Sequence, residues 1–250
     1  MHTGKIMTNK PAIECSNLTK KFNTFTAVDN LNLTVEKGQI CGFLGPNGAG
    51  KTTTIRMISG LIRPASGTVR ICGVDIRENF FEAVKKIGVM LETSGFYTYL
   101  SAFQNLKILA QYSGLTDYSD RINEVLKIAG LGDRAKDKVA TYSRGMLQRL
   151  GIAQALLADP GILIFDEPTN GLDPAGIFEI RSLITQLSVY NNKTVFISSH
   201  LLKEVESICS QVVIINSGKI IGGGSMEKLV KANPDGLEQY FFQLTREESK

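Results

Sequence analysis

The sequence predicts an α/β fold: a largely parallel sheet flanked by helices, with an antiparallel β edge and an all-helical insertion. Three observations carry the prediction. Residues 40–44 and 162–165 are short, continuously apolar runs, as strands covered on both faces require. Such runs alternate with helical stretches along the chain. The run at 40–44 also feeds the loop Gly45-Pro46-Asn47-Gly48-Ala49-Gly50-Lys51-Thr52-Thr53, and an apolar helical stretch leaves it. Strand, glycine loop and helix form the setting that a G-x-x-x-x-G-K-[ST] phosphate loop needs.

Each element has its own signal. After a polar stretch at 1–10, expected to be flexible, strands are predicted at 12–18 and, from clean alternation, at 31–35. Lys37-Gly38 turns the chain into the strand at 40–44. Beyond the first helix, Arg63-Pro64-Ala65-Ser66-Gly67 is a turn, 68–73 a strand, 79–86 a helix and 87–91 a buried strand that ends at Glu92. Strand signals then stop. Phe103, Leu106 and Leu109 fall at helical spacing over 102–112, and Ile122, Val125, Leu126 and Ile128 over 118–129, so residues 93–157 are expected to form a helical subdomain. Ser143 opens a helix with Met146, Leu150, Ala153 and Leu157 on one stripe. The strand at 162–165 runs into Asp166-Glu167-Pro168. A helix at 175–187, a strand at 194–197, a helix after His200, and strands at 212–215 and 219–221 complete a domain spanning 11–224, with a helical tail at 225–250.

Composition narrows the function. With 43% hydrophobic and 21% charged residues, the 250-residue chain has the make-up of a globular protein. A net charge of +4 without a Lys/Arg run argues against nucleic acid as a partner. No stretch nears ~18 consecutive apolar residues, and no secretion leader is expected, so any membrane role comes through a partner. Cys15, Cys41, Cys72 and Cys209 are scattered without a C-x-x-C pair, and His2 and His200 are the only histidines. Neither a disulfide framework nor a zinc site is expected, and a reducing cytoplasm fits.

The phosphate loop supplies a chemistry. Its glycines let backbone amides approach phosphate without Cβ clashes, and the following helix turns its positive end toward the anion. Lys51 brings charge to the β- and γ-phosphates, and Thr52 a hydroxyl to Mg²⁺. Asp166 and Glu167 stand at the C-terminal end of a buried strand, where such sheets hold their ligands. Asp166 can then hold Mg²⁺ and Glu167 polarise an attacking water, the alternative being an acidic turn that caps the next helix. Phe22 either stacks on adenine or is a hairpin or core aromatic.

Together with Tyr142-Ser143-Arg144-Gly145-Met146-Leu147-Gln148-Arg149, Asn170-Gly171-Leu172-Asp173-Pro174 and Ser198-Ser199-His200, these motifs resemble those of the ATP-binding-cassette (ABC) ATPases, in the family's order across 12–223. The resemblance implies a P-loop NTPase core of the ABC type that hydrolyses ATP with Mg²⁺. It also implies a head-to-tail homodimer of two nucleotide-binding subunits, docked on an integral membrane permease at the inner face of the cell membrane. Phe22 matches the adenine-stacking aromatic. Gly45 to Thr53, Lys51 and Thr52 among them, match the triphosphate and metal contacts. Ser143 and Gly145 match the segment that binds the γ-phosphate of the opposite subunit, Asp173 the loop that communicates across the dimer, and His200 the switch histidine. His200 could otherwise be a helix N-terminal residue.

Two segments depart from the family pattern. Arg144 and Met146 replace the usual glycine and glutamine of the signature segment, and Glu92 stands where a glutamine normally reaches metal and water. Glu92, the Ser143-Arg144-Gly145-Met146 signature and the ending Leu237-Glu238-Gln239-Tyr240-Phe241 resemble the bacitracin-resistance and lantibiotic-immunity branch, which implies export of an antimicrobial peptide or related amphiphile. An importer ATPase, a soluble ABC protein acting on ribosomes or DNA, and a subunit that binds without hydrolysing are the alternatives. Glu92 either joins the metal shell or anchors the permease.

Overall fold

A computed structural model describes residues 10–92, 95–189, 191–233 and 236–247. Residues 1–9 of the expected N-terminal stretch and 248–250 of the tail lie outside the described residues.

The chain opens with β1 (Ile13–Phe22) and β2 (Phe25–Val35), paired antiparallel. Both strands run further than alternation suggested, up to a tight turn at Asn23-Thr24 that leaves Phe22 opposite Phe25. Register shifts between Cys15 and Lys21 of β1, opposite Thr26 to Leu33 of β2, break the period-2 signal along this ribbon. β3 (Ile40–Leu44) follows, then α1 (Lys51–Ile58), β4 (Ser66–Ile71), β5 (Val74–Asp75), α2 (Phe80–Val84) and β6 (Ile87–Met90). Next come α3 (Ala102–Tyr112), α4 (Tyr118–Ile128) and α5 (Arg144–Leu156), with two 3₁₀ turns between α4 and α5. β7 (Ile162–Asp166), α6 (Pro174–Val189), β8 (Thr194–Ser199), α7 (Leu202–Ile208), β9 (Gln211–Asn216) and β10 (Lys219–Ser225) then alternate, and α8 (Met226–Ala232) and α9 (Gly236–Glu247) close the chain.

The strands make two sheets. One is antiparallel in the order β2-β1-β4-β5, and the other has the order β10-β9-β3-β8-β7-β6. In the second, β9, β3, β8, β7 and β6 are mutually parallel, and β10 alone returns antiparallel. β3 sits centrally, so the loop that leaves its C-terminal end lies beside the ends of β7 and β8, where strand order reverses and ligands bind in such sheets.

The apolar runs are buried twice over, as their lack of alternation implies. Ile162 and Ile164 face one core together with Cys41, Phe43, Phe196 and α1, beneath the antiparallel sheet. Leu163 and Phe165 face the other, with Leu44, Val195, Ile197 and residues of α3 to α7. The N-terminal strands thus stand as a sheet of their own, with α1 filling the space beneath them. α5 packs along β6 and β7, whereas α3 and α4 pack on each other and on α5. Ser101 caps α3 in a reciprocal box with Gln104, and Ser143 caps α5, as its position at the start of the apolar stripe suggested.

Candidate ATP-binding and hydrolytic site

At the C-terminal ends of β3, β7 and β8 lies an open cleft of about 570 Å³. Its lining includes Phe22, Phe25 and Ala27 from the N-terminal ribbon, Asn47, Gly48 and Gly50 to Thr53 from the loop and α1, and Glu92, Glu167 and Asn170. One end is aromatic and the other is a cradle of loop backbone with a lysine. The two ends match a nucleotide's base and phosphates.

The cradle's shape follows from its sequence. Gly50 precedes α1 at φ +105°, in the left-handed region, and a Cβ there would lie 2.6 Å from the Ala27 carbonyl oxygen. α1 therefore begins at Lys51 with its first amide donors free of side-chain caps. Lys51 is buried, and its Nζ donates to the carbonyls of Gly45 (2.8 Å) and Pro46 (3.1 Å). It also stands 3.1 Å from Glu167 Oε1. Pro46 and Ala49 serve through the backbone: the Ala49 N–H donates to the Pro46 carbonyl and closes the loop's turn. The Gly45 N–H donates to the Ser199 carbonyl and pins the loop to β8.

The carboxylates are set by β8. The Ser198 hydroxyl donates to Asp166 Oδ1 (2.7 Å) and accepts the Glu167 N–H (2.9 Å), one group orienting both acids. Asp166 is wholly buried, and its Oδ2 has no hydrogen-bond partner. Burial pushes its carboxyl above the usual range, while hydroxyl bonds from Ser198 and Thr52 oppose this in part and the charges of Glu167 and Glu92 add to it. A buried acid with an unpartnered oxygen, a threonine hydroxyl beside it and further carboxylates close by suits a divalent cation. Among the described residues no three His, Cys, Asp or Glu gather as a metal cluster.

Glu167 sits at φ +50°, a strained backbone for a side chain with a Cβ, held because its N–H and both carboxylate oxygens are engaged. Its Oε2 lies 2.9 Å from His200 Nδ1. Lys51, Glu167 and His200 thus form a contiguous row, of which Lys51 and Glu167 line the cleft.

Glu92, at the end of β6, accepts from Asn170 Nδ2 at 2.6 Å. It therefore reaches the cleft and also ties the β6 exit to the segment before Asp173. Phe22 is half exposed at the ribbon's tip, with Lys20 Nζ 5.1 Å above its ring. It is a surface aromatic lining the cleft rather than a core residue.

Ser143, Gly145 and Asp173 are not among the cleft's lining residues. Ser143 is exposed and its Oγ accepts the Met146 N–H, while exposed Asp173 accepts the Gly176 N–H and caps the first turn of α6. Gly145 lies beside Leu172, and the Arg144 guanidinium crosses Gly171 so closely that a Cβ there would meet its Cζ at 2.3 Å. The signature segment and the Asp173 segment thus form one unit, with Ser143 and Asp173 exposed on it.

The profile described as ABC transporter matches residues 28–170, more than half of the chain. The chain belongs to the ABC transporter family. Its cassette is 48% identical over 233 residues to the bacitracin transport ATP-binding protein BcrA of Bacillus licheniformis, covering 93% of this chain and 75% of that protein. It is 46% identical over 236 residues to the uncharacterised ABC transporter ATP-binding protein YhcH of Bacillus subtilis, covering 94% and 76%. Among solved structures, an ATP-binding subunit of an ABC transporter superposes with a TM-score of 0.82 at 26% identity, covering 94% of this chain and 99% of that one. The dimeric bacterial ABC transporter cassette MJ0796 superposes with a TM-score of 0.78 at 25% identity, covering 86% and 98%. The cassette is accordingly an ATPase subunit of the ABC type.

Four contributors to its site went unassigned from the sequence. Ser198 and Asn170 lay inside recognised motifs, but their roles depend on which strand ends meet. Phe25 could have been found, because a two-residue turn after Phe22 places it opposite. Glu204 carried no signal beyond being an acid in a helix, and it is buried under the site.

On the helical subdomain, Tyr97, Tyr99, Ile108, Gln111 and Tyr112 line an open groove of about 560 Å³, with Tyr99 67% and Tyr112 88% exposed. Buried Asn105 stiffens its rim, accepting the Tyr97 N–H and donating to the Tyr97 and Ser101 carbonyls. Among the described residues no helix is long and apolar enough to cross a membrane.

Proposed function

We propose that this ATPase powers a membrane permease that expels an antimicrobial peptide or related amphiphile of the bacitracin or lantibiotic kind. The observation that carries the catalytic half is one cleft lined by Phe22, Gly48, Gly50 to Thr53 and Glu167, with Lys51 and His200 both paired to Glu167. The cargo reading rests on the likeness to BcrA.

In this reading adenine stacks on Phe22, and the loop amides with Lys51 and Thr53 hold the phosphates. The phosphates compete with Glu167 for the Lys51 ammonium and so release the carboxylate for catalysis. Glu167 accepts a proton from the water that adds to the γ-phosphorus as the bridging P–O bond breaks, giving ADP and inorganic phosphate. His200, held by Glu167 through Nδ1, faces the γ-phosphate. Thr52 and Asp166, with Glu92 beside them, would hold Mg²⁺, which when bound neutralises phosphate charge.

Two copies complete the machine. Ser143 and Gly145 at the start of α5 offer a hydroxyl and helix-end amides to the γ-phosphate of a second subunit placed head to tail, and Asp173 faces the same junction. The tyrosine groove receives the permease, since exposed aromatics beside a stiffened loop mark an interaction surface. The subunit then works at the cytoplasmic face of the membrane.

The test is to co-express the cassette with the permease encoded beside it in a bacitracin-sensitive host. Resistance is expected with the native cassette and not with Glu167→Gln. Equal resistance with both would overturn the reading. Resistance lost through Tyr99→Asp with basal ATP hydrolysis kept would tie the groove to the permease.

A further inference from the structure

Resting on the hydrolytic reading above, we propose that Glu204 is a positioning residue that locks His200 to the segment bearing Glu167. Glu204 lies in the first turn of α7, outside every recognised motif, and is 4% exposed. One of its oxygens, Oε2, accepts two hydroxyls, Thr169 Oγ1 at 2.7 Å and Ser199 Oγ at 3.0 Å. Both donors are buried. They come from different places in the fold, Thr169 from the loop after β7 and Ser199 from the last residue of β8.

The connections close a ring. Thr169 is two residues beyond Glu167, Ser199 is one residue before His200, and His200 Nδ1 meets Glu167 Oε2 at 2.9 Å. Glu204 is the only link in this ring that comes from neither strand end. Each hydroxyl has a single proton, and both protons go to Glu204, so the hydroxyl oxygens are left with fixed acceptor directions. Ser199 Oγ uses its lone pair on the Leu201 N–H (2.9 Å), which sets the corner at His200, and the Ser199 carbonyl holds the Gly45 N–H of the phosphate loop. The Thr169 carbonyl accepts the Leu172 N–H and so extends the clamp toward Asp173.

A carboxylate is an expensive way to fill space here. Its other oxygen, Oε1, is buried without a hydrogen-bond partner, so burial of the charge is only half offset. For packing alone, an apolar side chain would do as well. Charge-assisted bonds are shorter and stiffer than neutral ones, and two of them on one oxygen hold the two segments in register. Glu204 is not among the residues that line the cleft, so its effect falls on the chemical step and not on binding.

The experiment uses the full chain with His2→Gln as background, leaving His200 as the sole histidine and a single imidazole signal by NMR. Glu204→Ala and Thr169→Val should each displace that signal and lower kcat for MgATP about tenfold or more, with KM within about threefold. The double variant should be no worse than the poorer single one, because both remove the same link. Glu204→Gln, whose carbonyl oxygen accepts both hydroxyls, should restore kcat to within about threefold. Lys203→Ala, exposed on the same helix, should move neither readout. An unmoved imidazole signal, or an unchanged kcat in folded Glu204→Ala, overturns the proposal. If Glu204→Ala does not fold, unchanged readouts in both Thr169→Val and Ser199→Ala overturn it. Absence of hydrolysis by the unmodified chain would instead sink the hydrolytic reading, and the imidazole signal would still decide whether Glu204 holds His200.

Discussion

Lys51 Nζ stands 3.1 Å from Glu167 Oε1, and both side chains are buried. The residue expected to bind phosphate and the residue expected to activate water are thus partners, one cation shared between two anionic claims. Glu167→Gln removes the base but leaves the cradle, so ATP binding should persist while turnover stops, and ATP should hold two subunits together. Lys51→Ala should weaken binding itself. Equilibrium binding with steady-state hydrolysis separates the two, and turnover by Glu167→Gln near the native rate would remove Glu167 from the base role.

The aromatic end of the cleft predicts a binding effect without a rate effect. Phe22 is half exposed and contributes little to the core, so Phe22→Ala should leave the melting temperature nearly unchanged. Losing one stacking face costs about 1 kcal/mol, a several-fold rise in Kd for ATP, with hydrolysis at saturation unaffected. A drop in stability with unaltered affinity would point instead to a structural aromatic.

Glu92 accepts from Asn170 through one carboxylate oxygen, a bond that a glutamine carbonyl can also accept. Glu92→Gln should therefore keep hydrolysis within a few-fold of native. Glu92→Ala frees the Asn170 amide and loosens the tie between the β6 exit and the Asp173 segment. Basal hydrolysis by the subunit should survive, while peptide resistance in cells should fall. Loss of hydrolysis by the isolated Glu92→Ala subunit would put Glu92 among the groups that act on the metal or the water.

Cysteine labelling tests the burial pattern directly. Burial pushes the thiols of Cys15 and Cys41 up to about 12, and that of Cys209 higher still, so they hold their protons at neutral pH. Cys72 alone of the four is only partly buried. Iodoacetamide at pH 7.5 should therefore modify Cys72 first in the native protein, and the other three only on unfolding, as read by peptide mass spectrometry. Rapid native labelling of Cys41 would contradict its place inside the central sheet.

Much of this protein was legible in the residues alone because its chemistry is local. A phosphate loop is nine consecutive residues whose glycines, lysine and threonine act where they stand. The apolar run ending in Asp166-Glu167 announces both a buried strand and its exit toward a ligand. Ser143 marks a helix start by a hydrogen bond three residues long. What the tertiary structure decided is which strand ends become neighbours. Ser198 orients Asp166 and Glu167 only because β8 pairs with β7 in one register. Asn170 meets Glu92 across 78 positions of chain, and Thr169 meets Glu204 across 35. The reach of the N-terminal ribbon was likewise hidden, since its irregular register breaks the alternation that marks a strand. Local motifs follow from backbone geometry within a few residues. The Glu92–Asn170 and Thr169–Glu204 pairs depend on strand order, which short-range periodicity does not encode.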